Sequence, residues 1–474
     1  MQERNYRLWS GTLLVAALAT GCAVGPGYRR PEVEVPKSFG IPSGKDELSS
    51  DLGWWEIVRD DAVLKALVAE AIDHNRDLRV AVKRMEEARA LAGINHLWPS
   101  LDAGASAARK RGLVAGAGPE TVLGNNFSAD LSASWELDLW GRIRRSRESD
   151  QAQFLASEYG RRAVLLSLIG DVVGGYYELQ ALDMKLETAR RTVDVRRRSL
   201  ALVERRMVGG VGDKLETSQS ASSVALAEAT IPQFEQAVHE QENRLNLLLG
   251  RAPGPIQRGN PLQALPPRSL APGLPSTLLE RRPDVRRSEE LLRAANAQVG
   301  VATANLFPAL RLTGSLGAQS LELSDLTGGG QRAWSLGGGL LAPVFHGGEL
   351  RQQRRAAVAR WEQARAAYER TVLAALGDAS NALKGVETSK GVVKAQVSAV
   401  GSLKEAERIA TMRFEGGVSP YLEVLDAQRQ LFSAELSLAE ALCEQQKTVI
   451  RLYLALGGGW SSSGRPEDAP PGKP

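Results

Sequence analysis

Arg206-Met207-Val208-Gly209-Gly210-Val211 and Arg413-Phe414-Glu415-Gly416-Gly417-Val418 are one phrase written twice, 207 residues apart (413 − 206 = 207). The same shift carries Asn75-Arg76-Asp77-Leu78-Arg79 onto Arg281-Arg282-Pro283-Asp284-Val285-Arg286 (284 − 77 = 207). It also carries Leu245, Leu249 and Gly250 onto Leu452, Leu456 and Gly457. A shift held over about 170 residues marks a tandem duplication of a long unit. Each opening phrase closes one helix and starts another: glycine stops the first, Asp213 or Ser419 caps the second, and Pro420 suits its first turn. Asp213 and Glu216 also have capping-box spacing.

The helices reached by these turns are too long for a globule. Gly141 to Met207 contains no proline, and a helix of that size is about 100 Å long. Leu182, Leu186, Ala189, Val193, Leu200 and Val203 recur at three- and four-residue steps, as do Leu431, Ala434, Leu438, Ala441, Gln445, Thr448, Leu452 and Ala455. Such a stripe is a coiled-coil seam. Ala62 to Asn75, Asp77 to His96 and Thr277 to Phe307 are shorter helical segments that complete the bundle. Pro232 faces Ala439 in the repeat (232 + 207 = 439), and a local kink is expected there.

Ahead of each long helix lies a pair of strands. Phe127, Ala129, Leu131, Ala133, Trp135, Leu137 and Leu139 alternate with Ser128, Asp130, Ser132, Ser134, Glu136 and Asp138. Period-two patterning of this length predicts a strand with one apolar and one wet face. Leu101 to Ala107 is its partner, and Gly112 to Asn126 between them reads as a surface loop. The second copy repeats the design with Leu310, Leu312 and Leu316, then Trp334, Leu336 and Leu340 after the Gly328-Gly329-Gly330 loop. A thirteen-residue strand rises about 44 Å, enough to cross an apolar layer when tilted; a periplasmic sandwich is the plainer alternative. Four strands cannot close a barrel, since small barrels need about eight, and an open edge is not viable in lipid. The chain must therefore oligomerise: two chains would give a filled eight-stranded barrel, three a twelve-stranded barrel with room for a pore.

The N-terminus reads as an export signal. Arg4 and Arg7 precede the apolar Leu13 to Leu18, and Ala19-Thr20-Gly21-Cys22 resembles a bacterial lipobox with Ala19 where a bulky residue is usual. Acylated, Cys22 would anchor the chain stably; simple cleavage nearby is the alternative. No later stretch is long and apolar enough for a spanning helix. Cys443, the other cysteine, sits at an apolar helix position and reads as a packed thiol. The net charge of +4 is small for 474 residues. Arg190-Arg191 and Arg196-Arg197-Arg198 are interleaved with Glu187, Asp194 and Glu204, as on a solvated helix face, and no nucleic-acid surface is implied. His74, His96, His239 and His346 lack metal spacing. No catalytic constellation or cofactor motif is present.

Taken in order, Cys22-Ala23-Val24-Gly25-Pro26 through Tyr28-Arg29-Arg30-Pro31, Trp54-Trp55, Asp77-Leu78-Arg79, Trp98-Pro99-Ser100-Leu101, Trp135 through Gly141, Arg281 through Val285, Leu306 through Leu310, and Gly417-Val418-Ser419 through Leu425-Asp426-Ala427-Gln428 resemble the outer-membrane efflux protein family, the TolC-type channels. Within it, the resemblance is to the lipoprotein branch of OprM- and NodT-like factors. It implies a mainly α-helical protein with membrane β: a homotrimer with a twelve-stranded β-barrel in the outer membrane and a twelve-helix coiled-coil tunnel through the periplasm. The implied divisions are a signal peptide (1–21), a lipidated N-terminal segment (22–60), a first repeat (61–250), a linker in an equatorial belt (251–276), a second repeat (277–458) and a disordered tail (459–474). The strands fall at about 100–111, 127–139, 309–320 and 333–345.

By family pattern the acidic ring of the periplasmic gate falls on Glu423 and Asp426. Three apart in a helix's first turn, they share a face, and repeated about an axis they would draw cations; compensation of the helix N-terminus is the plainer alternative. The tyrosine and arginine that latch some members correspond to Met412 and Ser419, so that latch is absent. Gly209, Gly210, Val211 and Asp213, with Gly416, Gly417, Val418 and Ser419, would be the tips that dock an adaptor, or simple turns. Asp77 to Pro99 spans 22 steps and Asp284 to Pro308 spans 24, so the helix-to-strand junctions should differ.

The function implied is a passive outer-membrane exit duct, lipid-anchored and extending into the periplasm. It would serve a periplasmic adaptor and an inner-membrane pump of the resistance-nodulation-division type that expels drugs or other small compounds. A duct for type I protein secretion or heavy-metal export is the alternative within the fold. A lipid-anchored periplasmic coiled-coil scaffold without a pore is the alternative outside it.

Overall fold

The computed structural model describes residues 23–36, 53–58, 61–94, 97–113, 121–262, 280–327 and 332–458. Cys22 and the expected signal peptide, much of the expected linker, the Gly328–Gly330 loop and the expected tail lie outside these residues. The helices are α1 (Trp54–Ile57), α2 (Ala62–His74), α3 (Arg76–Ala92), α4 (Arg142–Val208), α5 (Lys214–Leu248), α6 (Pro283–Ala304), α7 (Glu349–Glu415) and α8 (Tyr421–Ala455). The strands are β1 (Ser100–Leu113), β2 (Thr121–Leu137), β3 (Ala309–Ser320) and β4 (Arg332–Leu341). The duplication holds in every long element. Both α4 and α7 have 67 residues, α5 and α8 both have 35, and their starts are offset by the same amount (349 − 142 = 207 and 421 − 214 = 207).

The chain divides into two compact units. One contains the strands, with Met85–Ser157, Arg287–Glu369 and the N-terminal segment to Glu32. Its four strands form an antiparallel sheet in the order β1-β2-β3-β4, leaving β1 and β4 as edges. The register aligns like with like: Ala103, Leu131, Leu316 and Trp334 fall in one row, Asp102, Ser132, Ser315 and Ser335 in the next. One face is therefore apolar across all four strands and the other polar.

The strand limits correct the sequence reading. β1 and β2 run into the stretch read as loop, pairing to Leu113↔Thr121, so only residues 114–120 separate them. A long antiparallel ladder outweighs the weak turn preference of Gly124-Asn125-Asn126. At the other end β4 stops at Leu341, before Pro343, which has no amide to donate.

The second unit is helical, made of Val33–Arg84, Glu158–Arg286 and the chain from Arg370 onward. Its core joins Leu64, Val68 and Ala71 of α2 to Val172, Tyr176 and Leu179 of α4, with Leu245, Leu249, Leu452 and Leu456, all buried. Fully burying each such leucine contributes about 1.5–3 kcal/mol. The repeated joint explains the echoed sequence. Asn75 donates to the carbonyl of Leu248 at 2.8 Å, and its counterpart Arg282 donates to the carbonyl of Ala455 at 3.2 Å. Gly250 (φ +70°) lies against His74, where a side chain would collide, and Gly457 (φ +93°) lies tightly against Arg281 in a backbone conformation that favours glycine.

Other expectations need adjusting. Glu280 and Arg281 are helical, Arg282 breaks the run and α6 starts at Pro283, since proline suits a first helical position and disfavours helix in the residue before it; the expected start at Thr277 lies outside the described residues. Pro232, where a kink is expected, lies inside the single helix α5. The helix-to-strand junctions differ as the spacing predicts: α3 ends at Ala92 and β1 starts at Ser100, whereas α6 ends at Ala304 and β3 starts at Ala309.

Candidate functional site

The sheet's apolar face is the first functional surface. Trp334 (77% exposed), Leu336 (82%), Leu316 and Leu101 have little of their own chain over them. So large an open apolar patch needs a cover. On the polar face Ser106 and Ser128, and Ser315 and Ser335, share hydroxyl hydrogen bonds of 2.8 Å, and Gln319 donates to Asn126 at 2.8 Å. Asp102 and Asp130 stand on the same face.

At the strand feet the Trp135–Gly141 motif acts as a joint. The Asp138 carboxylate accepts from the amides of Ile143 and Arg144, each at 2.9 Å, and so caps α4. Trp140 stacks on Phe307 at 4.7 Å and donates to the carbonyl of Pro308. Gly141, at φ +78°, leaves room for Ala23, and the Val24 amide donates to the carbonyl of Trp140 at 3.0 Å. Farther along the N-terminal segment, Arg30 pairs with Glu289 at 2.8 Å, Tyr28 lies under Arg293, and Asn296 bonds the carbonyl of Pro26. Burial pushes the Tyr28 phenol up to about 12.

The two predicted tips share one geometry. Val211 donates to the carbonyl of Arg206 and Gly210 to that of Met207; Val418 repeats this to Arg413 and Gly417 to Phe414. Both are Schellman endings with glycine in the left-handed region, Gly210 at φ +79° and Gly417 at φ +72°. The flanking apolar side chains Val208, Val211, Leu215, Val418 and Leu422 are all exposed. The caps differ. Asp213 accepts from the Leu215 amide at 3.2 Å, as expected. Ser419 does not cap: the position equivalent to Asp213 is Pro420, which has no side-chain acceptor, and the Ser419 hydroxyl is buried without a partner.

Glu423 is exposed and Asp426 half-exposed, one helical turn apart on α8. Asp426 accepts from Arg429 at 2.7 Å and from Gln430, and these bonds hold its carboxyl below the usual range. The basic partner Arg429 was not picked out from the sequence, although the three-residue step from Asp426 to Arg429 signals it.

The sequence also hid a small core behind the tips. Val203 of α4 joins Ala410, Phe414, Tyr421 and Val424. Phe414 and Tyr421 lie 5.2 Å apart, and Arg206 covers Phe414 at 4.6 Å while donating to its carbonyl at 2.7 Å. The Tyr421 hydroxyl meets that of Ser220 at 2.9 Å, and burial raises its phenol. Val203 and Ala410 are repeat counterparts (410 − 203 = 207), but Phe414 with Tyr421, Arg206 with Phe414 and Tyr421 with Ser220 are not, so the 207-residue echo could not reveal those three pairs. Arg196 corrects the solvated-face reading: it is buried, donates to the carbonyl of Ser223 and lies over Phe432. Its neighbours pair across helices, Arg190 with Glu235, Arg191 with Glu435 and Arg197 with Glu228. Cys443 is a buried free thiol, raised to about 12 by burial.

Residues 67–251 and 274–458 each match the model of the outer membrane efflux protein family, and the two matches are again 207 apart (274 − 67 = 207). The chain is 35% identical over 462 residues to the outer membrane protein OprJ of Pseudomonas aeruginosa, covering 94% of this chain and 95% of that one. It is 32% identical over 454 residues to the solvent efflux pump outer membrane protein SrpC of Pseudomonas putida, covering 94% and 96%. The solved structure of the outer-membrane channel OprN superposes with a TM-score of 0.85 at 33% identity, covering 93% of this chain and all of that one. Further relatives are named for antibiotic and for cation efflux, and one as an outer membrane lipoprotein.

Proposed function

The chain belongs to the outer membrane efflux protein family, and from that premise we propose that three copies close into one passive exit duct across the outer membrane. The observation that carries the trimer is the open four-stranded sheet with one wet and one exposed apolar face. Its edges have to be paired in lipid, and three copies supply twelve strands, enough for a water-filled interior. α7 adds a second reason: Leu373, Val392, Val397, Ile409 and Met412 are exposed on it, apolar side chains that neighbouring copies would cover.

The duct works with a periplasmic adaptor, which docks on Gly209 to Asp213 and Gly416 to Ser419, and with an inner-membrane pump of the resistance-nodulation-division type. The exposed valines and leucines at both tips support docking there. The cargo is drugs or other small amphipathic compounds, in line with the solvent and antibiotic names among the relatives. Cation export is the second reading, favoured by the relative named as a cation efflux protein. Lipid anchoring through Cys22 is supported by the seat of its neighbour Ala23 against Gly141, beside the strand feet.

The gate is the ring of Glu423 and Asp426 around the axis. Asp426→Ala is expected to raise single-channel conductance in planar bilayers and weaken cation preference. Unchanged values for both would remove the gate assignment. Deletion of the gene followed by a drug, metal and secretion profile decides the cargo: sensitisation to amphipathic drugs supports the first reading, sensitisation to metal ions alone the second.

A further inference from the structure

The charges on the strands are sorted in a way that the closing of a duct does not require. The four strands contain eight: Asp102, Arg109, Lys110, Arg111, Asp130, Glu136, Arg311 and Arg332. By register, every acidic one stands on the polar face, with Lys110 and Arg311. The apolar face holds Arg109, Arg111 and Arg332 and no acid at all. Arg109 opposes Asn125, Arg111 opposes Leu123, and Arg332 opposes Ala318. All three are exposed, and all lie at the hairpin end of the sheet, away from the strand feet at Leu137, Leu310 and Leu340.

The distances fit a membrane boundary. From Leu137 to Phe127 the β2 apolar row spans ten residue steps, about 34 Å along a strand and about 25 Å in height at the usual barrel tilt. That is the height of the apolar band of an outer-membrane barrel. Arg109 and Arg111 oppose the residues just beyond Phe127. An arginine at mid-bilayer is costly and one at the interface nearly free, because its stem can lie on apolar surface while the guanidinium reaches polar groups. The feet of the strands have aromatic residues instead, Trp135, Trp140 and Phe307 among them. On the apolar face of the strands, therefore, the described basic side chains stand at the hairpin end and none at the feet.

We propose that Arg109, Arg111 and Arg332 form a basic girdle that binds the phosphorylated headgroups of the outer-leaflet glycolipid, lipid A. Guanidinium forks match phosphate oxygens two at a time, and among the described strand residues this face carries no carboxylate. The inference rests on the exit-duct reading, which sets the hairpins outward.

The test uses the purified full-length protein and native mass spectrometry with lipid A, its dephosphorylated form and phosphatidylglycerol. The wild type is expected to retain lipid A about tenfold better than the dephosphorylated form, and Arg109→Ser/Arg111→Ser/Arg332→Ser to lose that preference. Lys110→Ser, on the polar face, should keep it. Equal retention by the triple variant, or equal retention of the phosphate-free lipid by the wild type, would overturn the girdle. So would phosphatidylglycerol held as tightly as lipid A. Heat-modifiable mobility reports assembly; should the triple variant not assemble, Arg332→Ser alone is read, with about a threefold loss expected. Conductance in planar bilayers separates the two readings. A conducting variant with unchanged lipid retention removes the girdle and leaves the duct, whereas a wild type that never conducts removes both.

Discussion

The long helices α4 and α7 are copies in length and position, yet they meet their surroundings differently. On α4 the one large exposed apolar residue is Val208, at its very end; α7 exposes Leu373, Val392, Val397, Ile409 and Met412. The counterparts, each 207 residues earlier, are Leu166, Lys185, Arg190, Leu202 and Arg205. Three of the five are basic, and Leu166 is buried. Duplication has kept the backbone and reassigned the faces: at Arg190 and Arg205 the first copy turns cations outward where the second turns Val397 and Met412 outward, and Lys185 is instead largely covered and paired with Glu440. Both helices enter the core of their own chain, and α7 in addition leaves apolar side chains exposed, the surface that the proposed assembly would use.

That contrast is breakable, and the largest effect is expected at its best-defined pair. Leu373→Glu should abolish oligomers in outer-membrane extracts while leaving the chain's helical content by circular dichroism unchanged, since it lies on the surface of the single chain. Leu166→Glu should do the reverse and unfold the chain. Burying an unpaired carboxylate costs more than the about 2–5 kcal/mol of a large-to-small core substitution. A Leu373→Glu chain that still assembles, measured by heat-modifiable mobility, would remove α7 from the interface.

A smaller asymmetry lies behind the tips. Tyr421 is buried against Phe414 and bonded to Ser220; its counterpart Lys214 is exposed, one residue past the Asp213 cap. Tyr421→Ala is expected to cost about 3–5 kcal/mol, and Lys214→Ala about 0.5 kcal/mol or less, both read from thermal unfolding. Tyr421→Phe keeps the ring and loses about 1 kcal/mol with the hydroxyl bond. Equal costs for Tyr421→Ala and Lys214→Ala would mean that this small core contributes little.

These examples show what could be read from the chain alone. Periodicity gave the helices and strands because Leu131, Trp135 and their neighbours repeat at two-residue steps and Leu438, Ala441 and Gln445 at three to four. Glycines gave the turns because only a residue without a side chain sits easily at the φ of Gly210 and Gly417. The contacts between copies were not legible: Tyr421 with Ser220, Arg206 with Phe414 and Arg196 with Phe432 join positions that no local pattern links. Asp426 was visible as an acid three residues after Glu423, but the pairing with Arg429 that holds its charge belongs to side-chain geometry. Ser419 misled for a related reason. It has a good capping side chain, but Pro420 takes the cap position and turns that hydroxyl into the core.

The caps supply the smallest and cleanest test of the comparison. Asp213 accepts the Leu215 amide at the start of α5, whereas Pro420 leaves the start of α8 without a side-chain acceptor. Asp213→Ala should cost about 1 kcal/mol. Pro420→Asp would give the second copy the first copy's cap. The gain of an N-cap bond, about 1 kcal/mol, is opposed by about 0.4–1 kcal/mol from the freedom that proline's removal returns to the unfolded chain. The net change should be within about 0.5 kcal/mol of zero. Pairing the two substitutions in one chain sharpens the reading, because the sites are separate tips and their effects should add. A double variant that unfolds well below the sum would show that the tips support each other, and that the two turns act as one structure instead of two copies of one.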